Sequence, residues 1–231
     1  MKESEILKRI YPSVVTYQGD WQQMMKDVAK FNLKEISLFL TTVGFLERQK
    51  IYQALEKTKV KNIPHVHARH DMREEELDFF VSKYKTQAFT IHFQHFSKIF
   101  KNSKHKNKIF IENNNGKARI KNLVPFKQVG GICVDLAHLG YFQRRLPKDY
   151  QLIDQVVKKY RVGCNHLSAV LDNGFSWHKV NKISDLDYLE NIPKYFFSRY
   201  INIELINPIK EQLEFKKYIA KILVKTWNKE S

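Results

Sequence analysis

The chain has 231 residues, of which 43% are hydrophobic, and this length supports one substantial core rather than several domains. Its formal net charge of +16 favours anionic partners such as nucleic acid, although the lysines are spread along the whole sequence. The sequence has no apolar run near the ~18 residues of a membrane span, no signal-peptide pattern and only two cysteines, so we expect a cytoplasmic protein outside the membrane.

Short apolar runs alternate with helical patterns from end to end. The expected strands are residues 13–17, 35–40, 63–67, 88–92, 109–112, 132–135, 161–166 and 201–205. Helical patterns cover residues 21–31, 45–57, 73–84, 150–160, 185–200 (interrupted by Pro193) and 208–227, and the connection over 115–130 is unusually short. This alternation predicts an α/β fold, a compact single-domain (β/α)8 TIM barrel over residues 1–231. An open doubly wound sheet is the alternative, but no glycine-rich phosphate turn follows the first strand.

Many of these strands end in a residue that can bind a metal ion. These residues are His67, His92, Glu112, Asp135, His166 and Glu204. Because active sites form where the carboxyl ends of parallel barrel strands meet, we expect these side chains to converge. Carboxylates with imidazole suit Mn²⁺, Mg²⁺, Co²⁺ or Zn²⁺, whereas the same carboxylates crowded together without a cation would repel one another.

The other histidines fall into two sets. His138 lies three residues after Asp135 and could reach a second metal ion or a substrate hydroxyl. The remaining set has no such position in the strand pattern, and we interpret its members as surface residues or as groups that support a ligand. This set is His65, His70, His95 and His105.

Several phrases of the sequence resemble the xylose isomerase-like TIM barrel superfamily. They are Val66-His-Ala68, Phe110-Ile-Glu-Asn113, Val134-Asp-Leu-Ala-His138, Asn165-His-Leu167 and Ile203-Glu-Leu-Ile-Asn-Pro208. The resemblance covers the chain from about the third strand to the end. The superfamily contains sugar and sugar-phosphate isomerases and epimerases, and also the endonuclease IV group of apurinic-site nucleases.

The resemblance implies roles for individual residues. Glu112, Asp135, His166 and Glu204 match the shared metal ligands, and in the isomerases the two glutamates also transfer a proton between neighbouring carbons. His138 matches a histidine that contacts the substrate in epimerases or holds a further zinc ion in the nucleases. Additional ligands of the nuclease cluster are matched by His67 and His92.

Two positions depart from these patterns. The nuclease branch has an Asp-x-His pair after the seventh strand, whereas this chain has Ser176-Trp-His178, which keeps His178 as a candidate ligand but removes the acid. The epimerase branch commonly has an arginine at the position of Asp172.

Three functions are therefore open. The first hypothesis is a divalent-metal-dependent isomerase or epimerase of a small sugar or sugar phosphate, with Glu112, Glu204 and His138 as catalytic residues. The alternative is an endonuclease IV-like DNA phosphodiesterase acting at abasic sites, which the basic charge and the histidines at 67, 92, 138 and 178 favour. A barrel that binds a metal or ligand without catalysis is the third. The sequence predicts neither the number of ions nor the oligomeric state.

Overall fold

The fold is a barrel of parallel strands surrounded by helices. The computed structural model describes residues 1–96, 100, 102–114, 120 and 124–229. Its strands are β1 (Ile10–Tyr11), β2 (Ser13–Val15), β3 (Ser37–Phe39), β4 (His65–His67), β5 (Ala88–His92), β6 (Ile109–Glu112), β7 (Gly131–Asp135), β8 (Val162–Leu167), β9 (Ala169–Val170), β10 (Ser176–Trp177) and β11 (Ile201–Ile203). One sheet has the order β1-β11-β8-β7-β6-β5-β4-β3-β2, with all neighbouring strands parallel.

Pro12 divides the first strand of the barrel into β1 and β2. Proline has no N–H to donate to a strand ladder, so the pairing changes at this residue. β1 pairs with β11 through Ile10 and Ile201, whereas β2 pairs with β3 through Ser13 and Ser37. Because one stretch of chain meets both edges of the sheet, the sheet closes almost completely. The predicted α/β class and the TIM-barrel-like architecture are confirmed.

Helices cover the outside of this barrel. Those described are α1 (Glu3–Leu7), α2 (Trp21–Lys30), α3 (Phe45–Glu56), α4 (Glu74–Tyr84), α5 (Leu136–Arg145), α6 (Pro147–Lys159) and α7 (Ile209–Lys229). The closing helix α7 packs against α1 and buries Ile219, Leu223 and Trp227 completely. Side chains of this size contribute about 1.5–3 kcal/mol each when fully buried, so α7 fixes the junction at which the sheet closes.

The segment predicted to be helical over residues 185–200, with an interruption at Pro193, is helical in part, but its helices are 3₁₀ rather than α. The structure has a 3₁₀ helix at Ile183–Asn191 and a shorter one at Lys194–Phe196, separated by Pro193. Leu186, Leu189 and Ile192 are buried at a spacing of three residues, which is the period of a 3₁₀ helix rather than of an α-helix.

The segment between β7 and β8 holds two helices where one was predicted. α5 follows β7 without a loop because Asp135, the last residue of β7, is also the N-cap of α5. Its Oδ1 accepts a hydrogen bond of 2.8 Å from the backbone N–H of His138. α6 then begins at Pro147, earlier than predicted. The connection over 115–130 lies largely outside the described residues, apart from a 3₁₀ turn at Val124–Lys127.

A small hairpin was not predicted. β9 and β10 pair in antiparallel register, with Ser176 opposite Val170 and Trp177 opposite Ala169. Each strand has only two residues, too few for a visible alternation of polar and apolar positions. The hairpin follows β8 and therefore lies at the carboxyl end of the barrel strands.

In the described part of the chain, no helix combines the length and the apolar character needed to span a membrane. The cytoplasmic location stays a prediction.

Candidate metal centre

Acidic and imidazole side chains converge at the carboxyl ends of the barrel strands. They form three groups whose candidate ligand atoms lie within 4.8 Å of one another, namely His67, His92 and Glu112, then Glu112, Asp135 and His138, then Asp135, His166 and Glu204. Glu112 belongs to two groups and so does Asp135, so the three groups are continuous. Register explains the convergence, because His92 lies beside Glu112 and Asp135 beside His166 in adjacent strands.

The first group combines two imidazoles with a buried carboxylate. His67 Nε2 lies 3.0 Å and His92 Nε2 lies 3.4 Å from Glu112 Oε2. His67 Nδ1 lies 3.3 Å from the carbonyl oxygen of Ala68. A hydrogen on Nδ1 would donate to that carbonyl, which leaves the Nε2 lone pair facing Glu112 and available to a cation.

The last group places one imidazole between two carboxylates. His166 Nδ1 lies 3.3 Å from Glu204 Oε2 and 3.6 Å from Glu112 Oε1. On the outer side, His178 Nε2 lies 3.6 Å from Glu204 Oε1. His166 is fully buried, whereas the side chain of His178 is 30% exposed. The centre therefore extends from a closed interior to an accessible edge.

The middle group connects the other two at the start of α5. His138 Nε2 lies 3.8 Å from Asp135 Oδ2, and His138 Nδ1 lies 3.4 Å from Ser176 Oγ of the hairpin. Asn113 holds Asp135 from the neighbouring strand, since its Oδ1 accepts from the Asp135 N–H at 2.6 Å. Its Nδ2 also donates to the Asp135 carbonyl at 3.0 Å. Because Asp135 Oδ1 accepts from the His138 N–H and the Asp135 backbone is held by Asn113, Oδ2 is the carboxylate oxygen that remains for the candidate metal centre.

The pKa values of the two glutamates shift in opposite directions. Burial opposes ionisation of Glu112, but His166 and His67 outweigh it and hold the pKa of Glu112 well below its usual range. Burial, together with the charges of Glu112 and Asp135, raises the pKa of Glu204 well above its usual range. Burial also lowers the pKa of His92 to about 4, so its imidazole is neutral at pH 7, as a metal ligand must be.

One buried nitrogen tests whether these residues fit a metal ion. Among the described residues, His166 Nδ1 is buried and has no hydrogen-bond partner, although it faces two carboxylates. Buried polar atoms are rarely left in this state. A divalent cation between His166, Glu204 and Asp135 would satisfy the nitrogen and neutralise the carboxylates at once. The donor set therefore fits a metal.

His65 is the supporting residue that sequence reasoning did not single out. It is fully buried, and its Nε2 lies 3.1 Å from His166 Nε2 and 2.9 Å from Thr90 Oγ1. Burial and the neighbouring His166 lower the pKa of His65 well below its usual value. A neutral His65 that accepts a hydrogen from His166 Nε2 would keep the lone pair of His166 on Nδ1. The sequence does contain an indication of this role. His65 and His67 are two residues apart in one strand, so their side chains lie on the same face of the sheet.

A cavity of about 470 Å³ opens above the centre. Its floor includes Glu112 and Glu204, and its wall on the β3–β5 side carries the donors Thr42, Arg69 and His95. The volume lies in the range of small-molecule sites. The cavity therefore combines acids at the base with hydrogen-bond donors on one wall, an arrangement that suits a hydroxylated or anionic substrate.

The structure brings together all eight residues predicted as metal ligands, and their ligation of an ion stays a prediction. Two positions differed from the patterns of the superfamily, Ser176 and Asp172. In the structure, Ser176 contacts His138, and Asp172 forms an exposed ion pair with Lys182 at 2.7 Å. Of the histidines set aside, His65 supports His166, and His70 and His95 stack at 4.7 Å beside the cavity. His105 pairs with Asp78 at 2.7 Å on the surface.

Comparison of the chain with protein-family models, with curated proteins and with solved structures found no match. The resemblance to the xylose isomerase-like superfamily stays a prediction. The TIM-barrel-like fold rests on the strand order and register described above.

Proposed function

We propose that this protein is a metal-dependent phosphodiesterase whose centre holds more than one divalent ion. The observation that carries the proposal is the sharing of Glu112 and Asp135 between neighbouring ligand groups. A carboxylate has two oxygens and can bridge two cations, and bridged ions stabilise both the attacking and the leaving oxygen of a phosphoester. One ion held by Glu112, Asp135, His166 and Glu204 would leave His67 and His92 without a role.

Each side of the centre would contribute differently. His67 and His92 with Glu112 would hold one ion, and His166 and Glu204 with Asp135 would hold another. Divalent ions in such sites supply Lewis-acid activation of water and of phosphoryl oxygens.

Protons would be handled at the accessible edge of the centre. Glu204 Oε1 and His178 Nε2 lie 3.6 Å apart. Glu204 would be occupied as an ion ligand and could not also carry a proton, whereas His178, which lines the cavity beside it, is not one of the ligands assigned to either ion. The imidazole of His178 is therefore placed to pass a proton to a leaving oxygen.

A second candidate is the sugar isomerase or epimerase. The opposite pKa shifts of Glu112 and Glu204 support it, because two carboxyl groups held in different protonation states can serve as base and acid for proton transfer between carbons. The cavity volume of about 470 Å³ also suits a small sugar. The histidines at the β4–β5 side favour the first candidate, since proton transfer between carbons does not require them.

The two candidates are separated by substrate. Protein loaded with Mn²⁺ or Zn²⁺ would be assayed on bis(p-nitrophenyl) phosphate, on an abasic-site duplex, and on aldose and ketose phosphates. We expect phosphodiester hydrolysis that Glu112→Gln reduces by at least ~100-fold, the magnitude typical of lost metal ligation. The matched control is Asp78→Asn, a surface acid paired with Lys104 and His105, which should leave the rate unchanged. Isomerisation without phosphodiester hydrolysis would reject the first candidate.

A further inference from the structure

The hairpin of β9 and β10 has two different faces. Ser176 lies against His138, and His178 lies against Glu204, so this face belongs to the candidate metal centre. Neighbouring residues of a strand point to opposite sides, so Phe175 and Trp177 belong to the other face. The hairpin is held at its turn by a 2.9 Å bond from Leu171 N–H to the Phe175 carbonyl. A bond of 2.7 Å from Ile206 N–H to the His178 carbonyl ties its end to the chain after β11.

Large aromatic rings are exposed beside the centre. The exposed fractions are 55% for Phe175, 42% for Trp177 and 41% for Tyr17. Tyr17 lines the cavity, and its ring lies 5.4 Å from the ring of His178 at an angle of 63°. Phe175 and Trp177 lie on the other face of the hairpin, where the Phe175 ring lies 5.6 Å from the ring of Tyr141. The hairpin thus separates these two rings from Tyr17, and Trp177 is the chain neighbour of the His178 against which Tyr17 packs. We call Tyr17, Phe175 and Trp177 the aromatic ledge.

Cations lie next to this ledge. The Arg144 side chain extends over the turn of the hairpin, where a Cβ added at Gly174 would meet its guanidinium nitrogen at 3.5 Å. Arg144 and Lys179 are both exposed. The acid of the hairpin, Asp172, is neutralised by Lys182 at 2.7 Å. The surface around the ledge is therefore positive, in keeping with the net charge of +16.

Exposed rings interleaved with cations suit one kind of partner. Single-stranded nucleic acid offers unpaired bases that stack on aromatic side chains and phosphates that pair with lysine and arginine. A duplex is a poorer match because its bases are already stacked on one another. A protein partner would require a more continuous apolar surface, whereas the exposed polar residues Asp172 and Asn173 adjoin this one at the turn of the hairpin.

We infer that the aromatic ledge stacks the bases of a single-stranded nucleic acid and thereby guides its backbone to the metal centre. This inference rests on the proposed phosphodiesterase function and names its substrate class. The ledge would act in binding, whereas the residues at the strand ends would act in hydrolysis.

The test measures binding separately from hydrolysis. The anisotropy of a fluorescein-labelled 12-nucleotide single-stranded DNA would be followed in EDTA over a salt series, with wild-type protein and with Trp177→Ala, Phe175→Ala and the double variant. We expect each single variant to weaken binding about tenfold, the usual contribution of one stacked base, and Trp177→Phe to restore most of the affinity. The control Phe31→Ala removes an exposed ring, 36% accessible, in the connection before β3 at the opposite end of the barrel, and should have no effect.

Two results would overturn the inference. One is an affinity for the single strand that the ledge variants do not change, with folding checked by circular dichroism. The other is equal affinity for a blunt duplex of the same length. Hydrolysis of bis(p-nitrophenyl) phosphate by the wild type is recorded in parallel, because that small diester needs no base stacking. Its absence would reject the proposed function, whereas its presence together with unchanged oligonucleotide binding would reject the ledge alone.

Discussion

Two buried networks of acids in this protein differ in how their charge is neutralised. Between α3 and α4, the fully buried Arg48 donates to Glu76 through Nε at 2.8 Å and through a second nitrogen at 2.9 Å. It also pairs with Asp71 at 3.0 Å, and Tyr52 donates to Glu76 at 2.7 Å. Burial opposes ionisation of Glu76, but the bonds from Arg48 and Tyr52 lower its pKa below the usual value. The chain itself completes this network.

At the carboxyl ends of the barrel strands, the described part of the chain gives the acids no lysine or arginine partner. Among the described residues, the ion pairs of Glu112, Asp135 and Glu204 are with histidines. Burial and the charges of Glu112 and Asp135 raise the pKa of Glu204 well above its usual range, which shows that ionisation of all three carboxyls is unfavourable there. The comparison teaches that one network is completed by the folded scaffold, whereas the other has the ligand groups to hold an ion from outside.

The largest expected effect is a loss of stability when the Arg48–Glu76 network is broken. Arg48→Ala would leave Glu76 buried and unpaired, so we expect a loss of about 3–5 kcal/mol in the free energy of unfolding, measured by urea denaturation. Lys50→Ala, which removes the exposed pair with Glu47 at 2.9 Å, should change the stability by less than about 0.5 kcal/mol. A small effect of Arg48→Ala on the free energy of unfolding would mean that Arg48 is not what neutralises Glu76 in the fold.

The next prediction concerns stabilisation by added ions. A divalent ion at 100 times its dissociation constant should stabilise the wild type by about 2.7 kcal/mol, seen as a rise in the thermal midpoint. Glu204→Gln should abolish this rise. Without metal, the same variant should be slightly more stable than the wild type at pH 7, because a carboxyl whose pKa is raised in the folded state destabilises the fold at pH values above its unfolded pKa. An unchanged response to metal in Glu204→Gln would remove this residue from the ligand set.

The third prediction concerns His65, which we expect to orient the metal ligand His166. His65→Leu should weaken metal binding by about 10- to 100-fold, as expected when the partner that orients a ligand is lost. His65→Gln keeps a polar atom near His166 Nε2 and should retain most of the affinity. Calorimetric titration with Mn²⁺ and Zn²⁺ measures both variants. If both bind as the wild type does, His65 only fills space.

The smallest effect is a dependence on pH. In the metal-free protein, burial and the charges of Glu112 and Asp135 raise the pKa of Glu204 well above its usual range, and a metal ion competes with the proton that this favours. Metal affinity should therefore rise with pH, by up to about tenfold per unit for one proton. Calorimetry in buffers of different ionisation enthalpy would show the proton released. Metal affinity that does not change with pH would contradict the raised pKa of Glu204.

Sequence reasoning reached the barrel because strands buried on both sides leave continuous apolar runs, as in residues 109–112 and 132–135. It reached six of the eight candidate ligands because parallel strands place their last residues at one end. His138 was found from its place three residues after Asp135, and His178 from the resemblance. It missed α5 because Asp135 serves both as a strand end and as a helix cap. The hairpin escaped because contacts that join distant residues hold it, such as Ser176 with His138. Local patterns do not record such contacts.

The most direct test of the account is the number and position of bound ions. Protein purified with divalent metal would be examined by elemental mass spectrometry and by anomalous scattering from crystals. We expect at least two ions per chain, bridged by Glu112 or Asp135 at the carboxyl ends of the barrel strands. Protein that binds no ion there, or binds one only at the surface group of Glu74, Asp78 and His105, would contradict the claim that this centre is completed by metal.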